Sequence, residues 1–283
     1  MSVEHPVKTR LASFSLTTVL VIISVVALMP FLFIILSSFK PGVEMVRNGL
    51  SLNLDFQNFS LTNYGYLFTQ RDGVYLDWYK NSILITVLQT AGGLFLSSMV
   101  GYALAKYDFK GRTLVFILVL IVMMIPIEIL LLPLYKLSIT LRTINTYQGV
   151  FLPFLVSMTG IFFFRQYAIG LPKELMEAGR IDGCTEYGIY FKIMMPLMKP
   201  AFGALTILMA MGSWNSFVWP LIVMRDNVKL TLPVGLQTML TPYGNNYDML
   251  MSGAVLAVLP ILIVFLFNQK SFIDGMTAGA VKG

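Results

Sequence analysis

The chain has few of the residues that catalysis and metal binding most often require. Its 283 residues include one cysteine, Cys184, and one histidine, His5, so an internal disulfide is excluded and a zinc site of ordinary ligand count is not expected. No glycine is followed directly by lysine, which excludes the P-loop that holds ATP in many ATPases. Charged residues are only 12% of the chain, about half the share in a typical soluble domain. We therefore expect no bound metal or cofactor and no P-loop ATP hydrolysis.

Hydrophobic residues make up 57% of the chain, and they are gathered into long runs. Nothing charged lies between Arg10 and Lys40 or between Lys80 and Lys106, and a single charge, Glu128, interrupts a later run. A helix crosses the apolar core of a bilayer with roughly 20 residues. The pattern predicts an all-α integral membrane protein with six transmembrane helices, at about residues 16–36, 83–104, 114–135, 149–169, 201–224 and 250–267.

The polar segments between these runs have too few residues to bury a core of their own. Residues 1–283 are therefore predicted to form one transmembrane domain. The longest polar segment, 40–80, is expected on the extracytoplasmic side, and 270–283 is expected to be a cytoplasmic tail.

The net charge of +6 would suit a nucleic-acid partner, but membrane topology explains it better. Membrane proteins keep lysine and arginine in their short cytoplasmic loops. Lys106, Lys110 and Arg112 cluster in the short second loop, which places that loop and both termini in the cytoplasm. We expect contact with membrane lipid and no nucleic-acid partner.

The charged segment 172–196, between the fourth and fifth runs, predicts two short helices. Pro172 suits the first turn of a helix over 173–181, because the N–H that it lacks would be unbonded there. Gly183 ends that helix, and Thr185 is a preferred residue for capping the next one.

The first of these helices is expected to offer a small contact surface to another protein. Leu175, Ala178 and Gly179 share one helical face, and Glu177 is placed to pair with a basic residue of a partner. An amphipathic helix that lies on the membrane surface is the alternative that these local features leave open.

The same segment carries a motif: Glu-Ala-Ala, three residues, Gly, nine residues, Ile, one residue, Leu-Pro. Gly179 and Met195 replace its second Ala and its Leu, and the matching residues are Glu177, Ala178, Gly183, Ile193 and Pro196. With stretches such as Leu171-Pro172-Lys173-Glu174-Leu175, Trp214-Asn215-Ser216-Phe217-Val218-Trp219-Pro220 and the tail Ala278-Gly279-Ala280-Val281-Lys282-Gly283, the chain resembles the shorter permease subunit of carbohydrate ABC importers, the maltose-permease type. The resemblance runs from roughly residue 10 to the end.

This resemblance implies partners rather than an enzyme. Such a subunit lies in a bacterial or archaeal cytoplasmic membrane and pairs with a second homologous permease. Two ABC ATPase subunits, which bind ATP and Mg, dock on the cytoplasmic loops, and an extracytoplasmic binding protein delivers a sugar.

The resemblance also implies roles for particular residues. The motif segment would form a two-helix coupling loop between membrane helices 4 and 5, and the residues expected to couple it to the ATPase are Glu177, Ala178, Gly179, Arg180, Asp182, Gly183, Ile193 and Pro196. The tail after Gly275 would reach between the ATPases. Contact with the binding protein is expected at Pro242, Tyr243, Gly244, Asn245 and Asn246.

Three polar or aromatic residues inside the runs are candidates for the translocation path. A carboxylate within a membrane span is costly, so Glu128 either lines a cavity or belongs to a structural pair. Trp214 and Asn215 offer an aromatic face and an amide that suit a sugar, but they also suit contacts between helices.

Three other functions remain to be weighed. The substrate of such an importer could be glycerol phosphate or another polyol instead of a sugar. A self-sufficient secondary transporter needs ionisable residues at the membrane midplane, for which only Glu128 qualifies. A purely structural membrane protein would have no reason to carry the coupling motif.

Overall fold

The computed structural model of the chain describes residues 6–48, 59–240 and 246–280. Within these ranges all regular structure is helical, which confirms the predicted all-α class there. The α-helices are α1 (Pro6–Ser38), α2 (Gly42–Asn48), α3 (Thr62–Thr69), α4 (Val74–Lys106), α5 (Arg112–Met123), α6 (Ile127–Thr140), α7 (Tyr147–Phe151), α8 (Met158–Ile169), α9 (Glu174–Ile181), α10 (Glu186–Ile189), α11 (Met195–Leu197), α12 (Lys199–Trp214), α13 (Val218–Val223), α14 (Leu232–Gln237) and α15 (Tyr247–Ala280). Short 3-10 helices occupy Gln70–Gly73, Leu152–Phe154 and Asn227–Lys229, and a π-helix occupies Tyr190–Met194.

Four helical segments are long and apolar enough to cross a membrane, namely Ser13–Ser38, Thr62–Lys106, Lys199–Val223 and Tyr247–Ile273. Two more pass the same test as bent pairs, α5 with α6, and α7 and its 3-10 extension with α8. The described part of the chain therefore holds four to six candidate spans. The six expected from the sequence are reached when each bent pair counts as one span.

The third expected span, 114–135, is not one continuous helix. Helices α5 and α6 meet at an angle of 101°. Pro126 has an extended backbone, with φ −62° and ψ 134°, and a proline disfavours the helical conformation in the residue before it. Helix α5 accordingly ends at Met123, and α6 begins at Ile127. The apolar run predicted the span, but it carried no information on this change of direction.

The fourth and fifth expected spans, 149–169 and 201–224, are also interrupted. A bend of 41° separates α7 and its extension from α8, and the hydroxyl of Ser157 caps the start of α8. Helix α12 ends at Trp214, and Phe217 leaves the helical conformation, with φ −122° and ψ −57°, before α13 begins. Polar residues lie at both breaks, and they favour the end of each helix there.

The larger of two compact units contains Val74–Thr238 and Ala257–Gly283. Helix α4 packs there against α8 and α12. A Cβ added at Gly101 would lie 2.8 Å from the carbonyl oxygen of Ile161 and 2.9 Å from the backbone nitrogen of Arg165. The backbones of α4 and α8 can approach this closely because position 101 has no side chain.

The smaller unit contains Met1–Gly73 and Met239–Leu256. The side-chain amide of Asn63 donates hydrogen bonds to the backbone oxygens of Ser38, at 2.9 Å, and Lys40, at 2.8 Å, which fixes the chain where α1 ends. The apolar side chains along α1 are largely exposed. A helix of this kind is stable only where lipid or another protein covers it.

Candidate functional site

The motif segment folds as an elbow of two helical arms, α9 and the stretch that α10 and the π-helix form. Between them Gly183 has φ +77°, a conformation that side chains other than glycine rarely adopt. The hydroxyl of Thr185 accepts a hydrogen bond from the backbone N–H of Gly188, at 3.1 Å, and so caps α10. The turn and the cap lie where the sequence placed them.

The contact surface expected on α9 is only partly exposed. Met176 and Gly179 are buried, whereas Leu175, Glu177 and Ala178 are exposed. The helix is short, and its inward face follows from how it docks on its neighbours. Ala178 and Glu177 therefore stand on the outer surface, whereas Gly179 does not.

Gly179 instead faces the second arm of the elbow. A Cβ added there would lie 2.8 Å from Cδ1 of Ile193 and 3.1 Å from Cγ1 of Ile189. The absence of a side chain at Gly179 lets the two arms close on each other. Ile193 itself is half-buried, and Asp182, Gly183 and Pro196 are exposed.

Two apolar side chains that the sequence reasoning missed project from the elbow. Ile181 is 87% exposed and Tyr187 is 70% exposed. In the sequence, Ile181 stands between Arg180 and Asp182, and an apolar residue flanked by charges at a helix end was a signal for such exposure. They add exposed apolar area to a charged loop, and a large contiguous patch of such area marks a surface that another protein covers.

Glu186 joins the two arms of the elbow. Its carboxylate accepts hydrogen bonds from Nε of Arg180, at 2.7 Å, and from Nη2 of the same residue, at 3.2 Å. The phenol of Tyr107, which follows α4, also donates to it. These donors, first Arg180 and then Tyr107, hold the pKa of the Glu186 carboxyl below its ordinary range. Arg180, expected to face the ATPase, therefore has a bonding partner within the elbow.

An apolar core connects the elbow to three membrane helices. Met176, Ile189, Tyr190 and Met194 are buried in one cluster with residues of the helices behind them. Those residues are Tyr102 of α4, Phe164 and Ala168 of α8, and Ala201 and Leu205 of α12. Because packed cores transmit displacement, movement of the elbow is expected to move these helices with it.

Two cavities lie among the membrane helices of the larger unit. One has a volume of about 500 Å³ and the other about 330 Å³. Glu128, on the first turn of α6, lines the smaller cavity, and Gln89 of α4 lines both. None of the ion pairs in the described ranges involves Glu128. Of the two roles expected for Glu128, the structure therefore favours the lining of a cavity over a structural pair.

Trp214 lines neither of these cavities. It is buried, its indole N–H donates to the carbonyl oxygen of Ala257 at 3.0 Å, and its ring packs edge-on against Tyr79. This is the interhelical role that the sequence left open. Asn215 is exposed at the break after α12. Gln89 and Ser216 are polar residues of the smaller cavity that the sequence analysis did not identify.

Of the residues expected to meet a binding protein, Pro242, Tyr243, Gly244 and Asn245 lie outside the described ranges. Asn246 is described, and its backbone N–H donates to the carbonyl oxygen of Met239 at 3.0 Å. Its side-chain amide donates to Oε1 of Gln70 at 3.2 Å. No cluster of three or more metal-binding side chains occurs in the part of the chain that the structure describes.

Comparison with known proteins connects these features to a transport family. Residues 93–277 match the family model described as binding-protein-dependent transport system inner membrane component. The chain is 51% identical, over 99% of both chains, to the arabinooligosaccharides transport system permease protein AraQ of Bacillus subtilis (strain 168). It is 32% identical, over 69% of this chain and 70% of the relative, to the sn-glycerol-3-phosphate transport system permease protein UgpE of Brucella suis biovar 1 (strain 1330).

A solved structure shows the same fold. It is the crystal structure of a bacterial ABC transporter involved in the import of the acidic polysaccharide alginate. One of its chains superposes with a TM-score of 0.79 and 22% identity, over 95% of this chain and 99% of that one.

Proposed function

The chain belongs to the family of binding-protein-dependent transport system inner membrane components, and on that premise we propose that it is the permease subunit of an ATP-driven carbohydrate importer. It forms half of the translocation path and performs no catalysis. A separate ABC ATPase, which binds ATP and Mg, hydrolyses the nucleotide. The observation that carries this proposal is the elbow, which is exposed at its outer end and packed on three membrane helices behind it.

The elbow is the part of this subunit that the ATPase moves. Glu177, Ala178 and the apolar side chains of Ile181 and Tyr187 lie on its exposed surface, and they dock in a cleft of the ATPase. Gly179, Arg180 and Gly183 act indirectly, because they determine the shape of the elbow. Closure of the ATPase pair displaces the elbow, and the core behind it passes that displacement to α4, α8 and α12.

The assembly contains more than this chain. A second homologous permease, two ATPase subunits and an extracytoplasmic binding protein complete it. The exposed apolar side chains of α1 and α5 face lipid and the second permease, since such surfaces are not stable in water. The segment at Pro242–Asn246 meets the binding protein, and the tail 270–283 lies beside the ATPases.

A sugar is the favoured substrate because the arabinooligosaccharide permease resembles this chain over nearly its whole length. Glycerol phosphate is the second candidate, since a permease named for it is also a relative. An anionic substrate favours basic groups along its path. Neither cavity has lysine or arginine among the lining residues that the structure describes, which favours the sugar.

Reconstitution of the whole importer tests the coupling role. Wild type is compared with Ile181→Ser and Glu177→Ala in proteoliposomes that contain the partner permease, the ATPase and the sugar-loaded binding protein. We expect sugar-stimulated ATP hydrolysis in wild type and at least about a tenfold loss in Ile181→Ser, because a residue that acts as an interface hot spot contributes about 2 kcal/mol or more.

Val228→Ser is the matched control, because Val228 is also an exposed aliphatic residue, at 57%, but lies outside the elbow. It is expected to retain full activity. Normal coupling in both elbow variants, with the complex intact, would contradict the proposed lever.

A further inference from the structure

Three interruptions of the membrane helices lie beside the same two cavities. The break between α5 and α6 supplies Ile125, the break before α8 supplies Val156 and Ser157, and the break after α12 supplies Ser216. In a membrane, non-helical backbone is tolerated only where protein buries it or where it lines a water-filled space. The three breaks therefore converge on a space in which the non-helical backbone is either buried by protein or in contact with water.

The two cavities are neighbours. Gln89, Ile127, Phe154 and Gly212 line both. Each volume, about 500 and about 330 Å³, falls within the range of roughly 300–1,000 Å³ that is typical of small-molecule sites. Discontinuous helices around a space of this kind are how many transporters build a substrate site near the membrane midplane.

The polar groups of this space suit hydroxyl groups. The amide oxygen of Gln89 accepts a hydrogen bond from the hydroxyl of Ser213, at 3.0 Å, which orients the amide and leaves its NH₂ to donate. Ser216 and the carboxylate of Glu128 line the smaller cavity beside it. A sugar ring offers both the donors and the acceptors that these groups need.

The charge of this space has one sign. Glu128, in the smaller cavity, is the one charged side chain among the described residues that line the two cavities, and no lysine, arginine or histidine is among them. Like charges close together repel, and they do so more strongly in a site that is partly shielded from bulk water. A carboxylate or phosphate on a substrate is therefore disfavoured where a neutral ring is not.

We propose that the two cavities form a hydrated subsite for an uncharged sugar ring, and that Glu128 excludes anionic substrates from it. This inference rests on the proposed importer function and adds the charge class of the substrate and the residue that selects it. Glu128 acts by repelling negative charge and by accepting hydrogen bonds from sugar hydroxyls, whereas Gln89 and Ser216 supply neutral contacts.

Thiol accessibility in the assembled importer tests the charge of the space without depending on what the binding protein selects. The native Cys184 is replaced by serine, and Ser216→Cys places a thiol in the smaller cavity. Modification rates are measured with a cationic and an anionic methanethiosulfonate, each normalised to its rate with free thiol. We expect the cationic reagent to react at least about tenfold faster, and Glu128→Gln to remove most of that preference.

Protection by sugars tests the occupant. A neutral arabino-oligosaccharide is expected to slow modification of Ser216→Cys, and the same sugar carrying a terminal carboxylate is not. Val87→Cys is the control for background reaction, because Val87 is 57% exposed on α4 and lines neither cavity. It is expected to be unreactive in the bilayer and unaffected by sugar.

The outcomes separate the inference from the function on which it rests. If the importer transports sugar but Ser216→Cys is unreactive, or its preference for the cationic reagent survives Glu128→Gln, the subsite is wrong and the function stands. Equal protection by both sugars would also overturn the role of Glu128. If wild type shows no sugar-stimulated ATP hydrolysis, the proposed function itself fails.

Discussion

At the scale of single residues, glycine contributes to this fold in two distinct ways. At Gly183 the backbone requires a positive φ, while an added Cβ would meet nothing within 4 Å. At Gly101 the opposite holds, because a Cβ would collide with Cβ of Phe164 and with the backbone of α8. The two positions therefore respond to substitution for different reasons, one conformational and one steric.

The steric case gives a stability prediction. In Gly101→Ala the new methyl group would lie within 3 Å of backbone atoms that cannot rotate away, so α4 and α8 must separate. Overpacking of this kind costs about 1–3 kcal/mol, and we expect the melting temperature of the purified permease pair to fall by several degrees. Gly65→Ala is the control, since a Cβ there meets nothing within 4 Å, and an equal loss in both variants would contradict the explanation.

Single residues also show which features of the fold could be predicted from the sequence. Gly183 and Thr185 have local roles, a turn and a cap, that depend on a few neighbours, and the sequence predicted both. The orientation of Gly179 and the exposure of Ile181 depend on how α9 docks against the second arm. That docking involves Ile189 and Ile193, which lie beyond the helix itself, so periodicity over its eight residues was not enough to predict it.

At the scale of elements, the elbow is held together by more than its core. Arg180 from the first arm, Glu186 from the second and Tyr107 from the chain after α4 share one carboxylate. Because these bonds lower the pKa of Glu186, its charge is present at neutral pH and is lost only as the pH falls through that lowered value. The charge that this contact needs is therefore present at neutral pH.

Charge reversal tests whether this contact shapes the elbow. Arg180→Glu and Glu186→Arg each place like charges together, and each is expected to lower the sugar transported per ATP hydrolysed by about two- to fivefold, the scale of an exposed ion pair. The double variant restores opposite charges, so it is expected to recover most of that ratio. If the double variant is no better than the worse single one, Arg180 acts through the partner ATPase and not through Glu186.

At this scale, the breaks in the membrane helices are the feature that the sequence did not predict. Proline at position 126 was visible, but a proline within an apolar run is compatible with a slight kink or with the observed 101° turn. The break at Ser216 and Phe217 carries no proline. Pro126 and the polar residues Asn215 and Ser216 end their helices locally, but hydropathy does not register either signal, so it could locate the spans but not their interruptions.

At the scale of the whole molecule, the apolar surface of the chain requires a membrane. Residues along α1, α5 and the middle of α15 expose large apolar side chains, while the basic residues gather near the ends of the spans. In this family the chain lies in the inner membrane. From the distribution of lysine and arginine we predict that the elbow and both termini lie on the cytoplasmic side.

The single native cysteine makes that orientation measurable. Cys184 lies in the elbow and is half-buried, whereas Val228 is exposed between α13 and α14. The chain is produced with its partner permease but without the ATPase, so that the elbow is uncovered, and vesicles of both orientations are treated with a membrane-impermeant maleimide. We expect Cys184 to be labelled in inside-out vesicles only.

The second half of the measurement uses Val228→Cys in a Cys184→Ser background. We expect this cysteine to be labelled in right-side-out vesicles only. Residues 184 and 228 are separated by one predicted span, 201–224. They must therefore lie on opposite sides if α12 and α13 together cross the membrane despite the break between them. Labelling of both from the same side would mean that this broken pair is re-entrant, and with it the elbow would lose the fixed cytoplasmic position that coupling to an ATPase requires.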